Sequence, residues 1–173
     1  MSKMRTLPFC FLAFLVGCGD SAKVSSVNPA APVTEVTLKS VKWPDLEKAI
    51  AAHKGRVVVV DMWADYCIPC KKAMPHMVEM QSKYRDQGWV CMSLSADEKD
   101  DVAKALTFLK KIDAKIENYH WLETLDEMEK QLGATAFPTV VVYGRDGKKA
   151  KVFTNQEPFD HTDVEKFVKS ILK

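Results

Sequence analysis

Hydrophobic and polar positions along this chain change period several times, and each change predicts a new element of secondary structure. Residues 57–60 are four valines in a row, so both faces are apolar, which is typical of a central strand covered on both sides. Residues 89–94 (W-V-C-M-S-L) predict a second buried strand, and the polar–apolar alternation at 35–41 predicts a half-buried one. Apolar residues at helical spacing predict helices at 44–54, 68–87, 97–111 and 125–132.

Shorter segments complete the pattern toward the C-terminus. Residues 119–122 predict a short strand, and 139–143 and 148–153 predict a hairpin around the turn G-R-D-G. Thr162 and Glu165 predict a capping box at the start of a final helix. Strands that alternate with helices and end in a hairpin and a helix predict an α/β fold, in which a sheet carries helices on both faces.

The first residues follow a different pattern. M-S-K-M-R is short and positively charged, residues 7–16 are apolar throughout, and L-V-G-C ends at Cys18, an order typical of a secretory signal. Roughly ten apolar residues are too few to span a bilayer, which takes about 20, so a membrane anchor or buried helix is the weaker alternative. L-V-G-C resembles the bacterial lipobox, and that resemblance implies lipid on Cys18 and loss of Cys10 with the leader.

The chain therefore divides into three predicted parts. Residues 1–17 are the lipoprotein signal peptide, and residues 18–33 are the lipidated cysteine and a flexible tether, because small residues, serine and proline cannot bury a core. Residues 34–173, about 140 in number, suffice for one domain. The expected location is the cell envelope, anchored by lipid to a bacterial membrane and facing the periplasm or the exterior.

The charge balance argues against a nucleic-acid partner. The chain has 25 lysines and arginines against 23 aspartates and glutamates, and Lys3 and Arg5 leave with the leader, so the mature protein is formally neutral. No basic run is present, so we expect no nucleic acid among its partners. We expect a monomer.

Two cysteines, Cys67 and Cys70 in C-I-P-C, follow the valine strand directly. A structural zinc site would need two more thiolates, and only Cys91 remains once Cys18 carries lipid. A covalent haem needs histidine after the second cysteine, where Lys71 stands. A purely structural disulfide across so short a loop restrains the unfolded chain little. No metal is therefore expected, and a redox-active pair is the favoured interpretation.

The position of the pair supports redox chemistry. Cys67 lies where a buried strand turns into a helix, and the unpaired N–H groups of a helix start stabilise a thiolate nucleophile. Cys70 lies one turn further, where it can attack a mixed disulfide formed by Cys67. An exported compartment also permits disulfides. The open alternative is a Cu(I)-binding or metallochaperone module that uses the cysteines with Met62, Met74 and Met77.

The segment W-A-D-Y-C-I-P-C-K resembles the active site of the thioredoxin fold, W-A-x-x-C-x-x-C-K. Asp61, Pro75 and the tripeptide Phe137-Pro138-Thr139 stand at further positions that match this family, and the resemblance covers roughly residues 57–173. It implies a thioredoxin fold with a central mixed sheet and a cis-proline at Pro138.

Cys70 and Pro138 are 68 residues apart, which is more than in thioredoxin. The additional residues hold an extra αβ unit before the cis-proline. That insertion is similar to the TlpA/ResA-like group, which are exported, membrane-tethered thiol–disulfide oxidoreductases. The resemblance implies reduction of disulfides in exported proteins, or of cysteines destined for haem or copper, with electrons from a membrane donor and no cofactor. A thiol peroxidase of this fold is disfavoured, because Ala64 stands where that group has threonine.

The same resemblance assigns roles to the catalytic residues. Cys67 attacks the substrate disulfide, Cys70 resolves the mixed disulfide, and a buried Asp61 takes the proton of Cys70. The alternative is that Asp61 only makes a local hydrogen bond. Thioredoxin pairs this aspartate with a lysine on the next strand, which is absent here, so Ser93 or water is the expected partner. The glutamate of ResA-like proteins is replaced by Ala73.

Four further residues are assigned to substrate binding by the same resemblance. Pro138 in cis faces the cysteines and leaves the backbone of Phe137 free to pair with an extended substrate segment. Trp63 and Tyr66 form an apolar collar around the cysteines, although either could instead be part of the core.

Overall fold

The computed structural model describes residues 32–134 and 136–172. The predicted signal peptide, Cys18 and almost all of the predicted tether lie outside the described residues. Within these residues no helix is both long enough and apolar enough to cross a bilayer.

Six strands form one mixed sheet in the order β1-β4-β3-β2-β5-β6. Strands β1, β4, β3 and β2 run parallel, whereas β5 is antiparallel to both β2 and β6. The strands are β1 (Lys39–Val41), β2 (Val57–Trp63), β3 (Trp89–Ser95), β4 (Glu117–Trp121), β5 (Thr139–Tyr143) and β6 (Lys149–Phe153). The predicted α/β architecture is confirmed, and the inserted strand β4 lies inside the sheet between β1 and β3.

Five α-helices accompany the sheet in the described residues. They are α1 (Trp43–Ala52), α2 (Ile68–Tyr84), α3 (Val102–Lys111), α4 (Leu125–Leu132) and α5 (His161–Ile171). Short 3₁₀ turns follow α2 and precede α3. The insertion before the proline therefore supplies α3 and β4, as the sequence predicts.

The two faces of the sheet bury separate cores. Residues of β2 alternate between them, so Val59 and Trp63 pack with α2 and α5 on one face, while Val60 and Met62 pack with α1 and α4 on the other. Both cysteines of C-I-P-C belong to the first core. Asp61 lies between Val60 and Met62 in β2 and therefore faces the same side of the sheet as Val59 and Trp63.

Several predicted boundaries are wrong. The first strand covers only Lys39–Val41 instead of 35–41, and it pairs with β4 alone, at an edge of the sheet. The helix predicted from residue 97 begins at Val102, because a 3₁₀ turn precedes it. The last helix is capped by Asp160 rather than Thr162, since the Asp160 carboxylate accepts the backbone N–H groups of Thr162 at 2.7 Å and Asp163 at 3.2 Å.

The edge strand β6 exposes lysines rather than apolar side chains. Lys149, Ala150 and Lys151 are all exposed, and only Phe153 at its end is buried.

Candidate active site

The two cysteines are joined by a disulfide at the start of α2, with Cα atoms 5.4 Å apart. Cys67 is the N-cap of this helix, and its Sγ accepts the backbone N–H of Cys70 at 3.3 Å. Cys67 is 6% exposed and Cys70 is 1% exposed, so the first sulfur-bearing residue is the more accessible of the two. The geometry gives a reactive pair whose outer member lies in the positive field of a helix start.

The loop that carries the pair is fixed by a buried aspartate from the β3–α3 connection. Asp97 accepts the backbone N–H of Asp65 at 2.7 Å with one oxygen and the hydroxyl of Ser95 at 2.7 Å with the other. Lys71 bonds Asp65 at 3.0 Å and lies over the ring of Phe108. The insertion therefore supports the cysteine loop directly.

Asp61 is fully buried, and its partner is a histidine that the sequence analysis did not single out. His161, the first residue of α5, places its Nε2 3.3 Å from Oδ2 of Asp61. The expectation that Ser93 would serve as the partner is wrong, because the Ser93 hydroxyl donates to Asn118 at 2.8 Å. Oδ1 of Asp61 has no hydrogen-bond partner among the described residues.

The charge of Asp61 affects two neighbouring groups. Burial acts to lower the pKa of His161, but the hydrogen bond and the charge of Asp61 outweigh it, so the net pKa is raised. Burial raises the pKa of the Cys91 thiol well above its usual range, and the charge of Asp61 adds to that effect. Cys91 is 1% exposed and lies within β3.

A shallow groove of about 520 Å³ borders the disulfide. Cys67 lines it together with Tyr66, Ile68, Phe137 and Leu125 of α4, and of these Tyr66 and Phe137 are among the residues that the resemblance assigns to substrate binding. Among the described residues, the large apolar side chains that remain exposed are Tyr66, Ile68, Leu122 and Leu125. Exposed apolar side chains beside a reactive sulfur suit a polypeptide ligand.

The peptide bond between Phe137 and Pro138 is cis, as the sequence resemblance implies. It directly precedes β5, the strand that pairs with Asp61 of β2 through Val140. Phe137 and Pro138 are both half-buried, and Phe137 reaches the groove.

Trp63 lies in the core rather than at the surface around the cysteines. It is 0% exposed, and its ring centroid is 5.3 Å from that of Phe108 in α3. The predicted contact of Trp63 with substrate does not fit this burial, because its ring is enclosed between the sheet and α3. Trp63 is therefore a core residue, the alternative that its sequence left open.

The three methionines of the copper alternative do not all lie on the disulfide's face of the sheet. Met62 packs in the core on the opposite face of the sheet from the disulfide, whereas Met74 and Met77 are fully buried on the disulfide's face. Among the described residues, no group of three or more histidine, cysteine, aspartate or glutamate side chains is placed to hold a metal ion.

Sequence reasoning missed His161 and Asp97 for one reason. Each acts on a residue far away in the chain, Asp97 on the N–H of Asp65 and His161 on Asp61, 100 residues earlier. The one local signal for His161 is its place directly after the helix-capping Asp160, which fixes it at the first turn of the last helix.

Comparison with known proteins agrees with this geometry. A family model described as thioredoxin-like matches residues 55–149, more than half of the chain. The thiol-disulfide oxidoreductase ResA of Bacillus thuringiensis subsp. konkukian is 27% identical over 185 aligned positions, which cover 99% of each chain. A ResA of Bacillus cereus is 29% identical and covers 86% of this chain and 87% of its own.

Solved structures give the same result. A crystal structure described as a DsbE thiol:disulfide interchange protein from Chlorobium tepidum superimposes with a TM-score of 0.61 and 26% identity, covering 72% of this chain and 85% of that one. The fold and the cysteine pair thus define a thiol–disulfide oxidoreductase. The chain belongs to the thioredoxin-like family, and within that family it is of the TlpA/ResA-like kind.

Proposed function

We propose that this protein is a lipid-anchored reductant that reduces disulfides of exported proteins with the dithiol of Cys67 and Cys70. The observation that carries the proposal is the pair itself, which begins a helix and borders a groove of exposed apolar side chains. The names of the ResA relatives, thiol-disulfide oxidoreductases, support the class of reaction.

In the first step, the thiolate of reduced Cys67 attacks one sulfur of the substrate disulfide. A new bond joins Cys67 to that sulfur, and the other substrate sulfur leaves as a thiolate that solvent protonates. The N–H of Cys70, which points at Sγ of Cys67, and the helix start stabilise the attacking anion.

In the second step, Cys70 gives its proton to Asp61 and attacks Sγ of Cys67. The bond between Cys67 and the substrate breaks, its electron pair leaves with the substrate sulfur, and the Cys67–Cys70 disulfide forms. Two electrons have passed from the protein to the substrate. Asp61 fits the role of base because it is buried on the face of the sheet that carries the cysteines and has an oxygen without a protein partner.

The groove is the proposed binding place for substrate. Tyr66, Ile68 and Leu125 offer exposed apolar contacts, and the backbone at Phe137 and Pro138 pairs with an extended segment that presents its disulfide to Cys67. The substrate is therefore a polypeptide with an unfolded or loosely held segment around its cysteines.

The proposed direction of electron flow is reduction. The pair Ile68–Pro69 between the cysteines lacks the histidine that helps to make DsbA-type proteins oxidising. We expect a reduction potential closer to about −270 mV, as in thioredoxin, than to about −120 mV, as in DsbA. Equilibration in glutathione or dithiothreitol buffers measures it, and a value above about −180 mV would refute the direction.

The proposed location follows from the N-terminal sequence. Lipid on Cys18 anchors the protein to a bacterial membrane, the segment 18–33 tethers it, and the domain works on the periplasmic or exterior side as a monomer. A reductant outside the cytoplasm needs electrons, so a membrane donor re-reduces the pair. Metabolic labelling with a fatty acid is expected to mark the full chain but not Cys18→Ser; equal labelling of both would exclude the anchor.

Trapping tests the function. Cys70→Ser leaves the attacking thiol without its resolving partner, so mixed disulfides with substrates should accumulate in cells. Mass spectrometry of the captured proteins identifies the substrates, and Cys67→Ser is the matched control that should capture none. Equal capture by both variants, or capture by neither, would contradict the proposed mechanism.

A further inference from the structure

We propose that His161 is a positioning residue for the resolving step, which it serves by holding the Asp61 carboxylate through Oδ2 so that Oδ1 stays free to accept a proton. The inference rests on the proposed function, because it concerns the base that takes the proton of Cys70. His161 touches neither substrate nor the reacting sulfurs; it acts through Asp61.

The geometry places these two residues together from distant parts of the chain. Asp61 comes from the middle of β2 and His161 from the first turn of α5, and their side chains meet at 3.3 Å. The side chains are 1% and 7% exposed, so water competes little for this contact. Nε2 of His161 bonds Oδ2, which leaves Oδ1 of Asp61 without a protein partner and able to accept a proton.

The contact between His161 and Asp61 offsets the electrostatic cost of burying a carboxylate. Burial disfavours the charged form of a carboxyl group, and a neutral carboxylic acid cannot act as a base. An opposite charge within hydrogen-bond distance favours the charged form. Ser93, which lies beside Asp61 on β3, donates to Asn118 instead, so His161 is the bonded neighbour that can carry a positive charge.

Titratable groups on three neighbouring elements surround the pair. Asp160, on the turn before α5, adds a second negative charge that favours protonated His161. Cys91 on β3 stays a neutral thiol, because burial raises its pKa well above the usual range and the charge of Asp61 raises it further. At the start of α2, Cys67 and Cys70 belong to the core on the face of the sheet toward which Asp61 points, and they are the groups that the pair serves.

The experiment separates the two chemical steps. Reduced protein is mixed rapidly with glutathione disulfide, samples are quenched with acid, and mass spectrometry counts the reduced, glutathionylated and oxidised forms over time. Formation of the glutathionylated form reports attack by Cys67, and its decay reports resolution by Cys70. In His161→Gln, resolution at neutral pH is expected to slow about tenfold, a part of what general base catalysis contributes, while attack stays within about twofold.

The pH profile distinguishes positioning from simple structural damage. In the unmodified protein His161 loses its proton as pH rises through its raised pKa, so the difference in resolution rate between the unmodified protein and His161→Gln should narrow as pH rises. In an Asp61→Asn background, His161→Gln should slow resolution no further, because the residue through which it acts is gone.

The chain offers a matched control. His53 is also a buried histidine bonded to a carboxylate, with Nε2 2.6 Å from Oε1 of Glu117, and it lies near the opposite end of the sheet from the disulfide. His53→Gln makes the same chemical change and should leave resolution unchanged. Equal slowing in both variants, or none in His161→Gln, would overturn the inference.

A second measurement leaves His161 in place, in case His161→Gln fails to fold. Nuclear magnetic resonance follows the imidazole signals of His161 with pH in the unmodified protein and in Asp61→Asn. The midpoint should fall in Asp61→Asn, and an unchanged midpoint would refute the pairing. If the unmodified protein forms no glutathionylated or oxidised product at all, the proposed function fails, whichever way the histidine behaves.

Discussion

Two histidines are buried beside carboxylates on this sheet, and their surroundings differ. Glu117 is bonded through Oε1 to His53 and through Oε2 to the hydroxyl of Tyr119, each at 2.6 Å. Asp61 is bonded through one oxygen to His161, and its second oxygen has no partner among the described residues. Both carboxylate oxygens of Glu117 accept a hydrogen bond, whereas one carboxylate oxygen of Asp61 accepts none from the described residues.

The pKa values follow this difference. Burial acts to raise the pKa of Glu117, but the hydrogen bonds from His53 and Tyr119 outweigh it and the net pKa is lowered. Burial and the hydrogen bond to Glu117 raise the pKa of Tyr119. The first pair is therefore a closed structural contact, whereas the second resembles a proton-handling site beside a redox-active disulfide. We propose that the Asp61 oxygen without a hydrogen-bond partner, rather than the presence of a buried pair, distinguishes the pair that takes part in the chemistry.

The largest effect is expected for Cys67, the attacking cysteine of the proposed mechanism. Cys67→Ala should reduce the rate of insulin-disulfide reduction by at least about a thousandfold, because the attacking thiol is lost. Cys91→Ala, on the neighbouring strand β3, should stay within about twofold of the unmodified rate. A comparable loss in Cys91→Ala would show that the accessible pair is not the reactive one.

The second-largest difference in rate is expected between variants of the two carboxylates, Asp61 and Glu117. Asp61→Asn should slow disulfide reduction at neutral pH by about tenfold to a hundredfold, because amide cannot take the proton of Cys70. Glu117→Gln makes the same change at the half-buried acid of the other pair and should leave the rate unchanged. The test is the steady-state rate of insulin reduction in the two variants. Equal rates would show that the two histidine–carboxylate pairs do not differ in function.

A smaller effect is expected for the groove. Leu125→Ala should raise KM for a reductively unfolded protein substrate by about threefold, since a single exposed apolar contact is lost. Turnover of glutathione disulfide should not change, because so small a substrate does not reach α4. Lys148→Ala, in the hairpin turn between β5 and β6, is the control. A rise in KM for both substrates would mean that Leu125 shapes the active-site loop rather than the binding surface.

The smallest effect concerns stability. The raised pKa of His161 in the folded state means that protonation favours folding. This contribution is complete below the ordinary imidazole pKa of about 6.5 in the unfolded chain, and it is lost as pH rises through the raised folded value. Urea unfolding between about pH 6 and pH 9 should therefore show stability that declines with pH, and His161→Gln should flatten that decline. If the decline of stability with pH is unchanged in His161→Gln, a group other than His161 causes it.

Local patterns were enough to predict most of the fold. The valines of β2 and the apolar face of α2 each predict their element without help from distant residues, and α4 begins and ends where its pattern does. Strand β1 was overestimated because its length depends on a single neighbour, β4, that no local pattern reveals.

The candidate site was predictable only in part. The spacing of Cys67 and Cys70 and the resemblance around Asp61 indicate the reactive pair and its acid. The partner of that acid was not predictable, because His161 becomes its neighbour only when α5 packs on the sheet. Trp63 shows the converse: its motif suggests an exposed role, and packing of α3 encloses it.

The lysines of β6 affect how readily the edge of this sheet pairs with other chains. A sheet ends in strands whose backbone groups can template pairing with any extended chain, and charged side chains such as Lys149 and Lys151 discourage such pairing. At the opposite border, β1 offers only three residues. If its substrates are unfolded chains, as proposed, neither border of the described sheet favours pairing with them, which lowers the risk of co-aggregation.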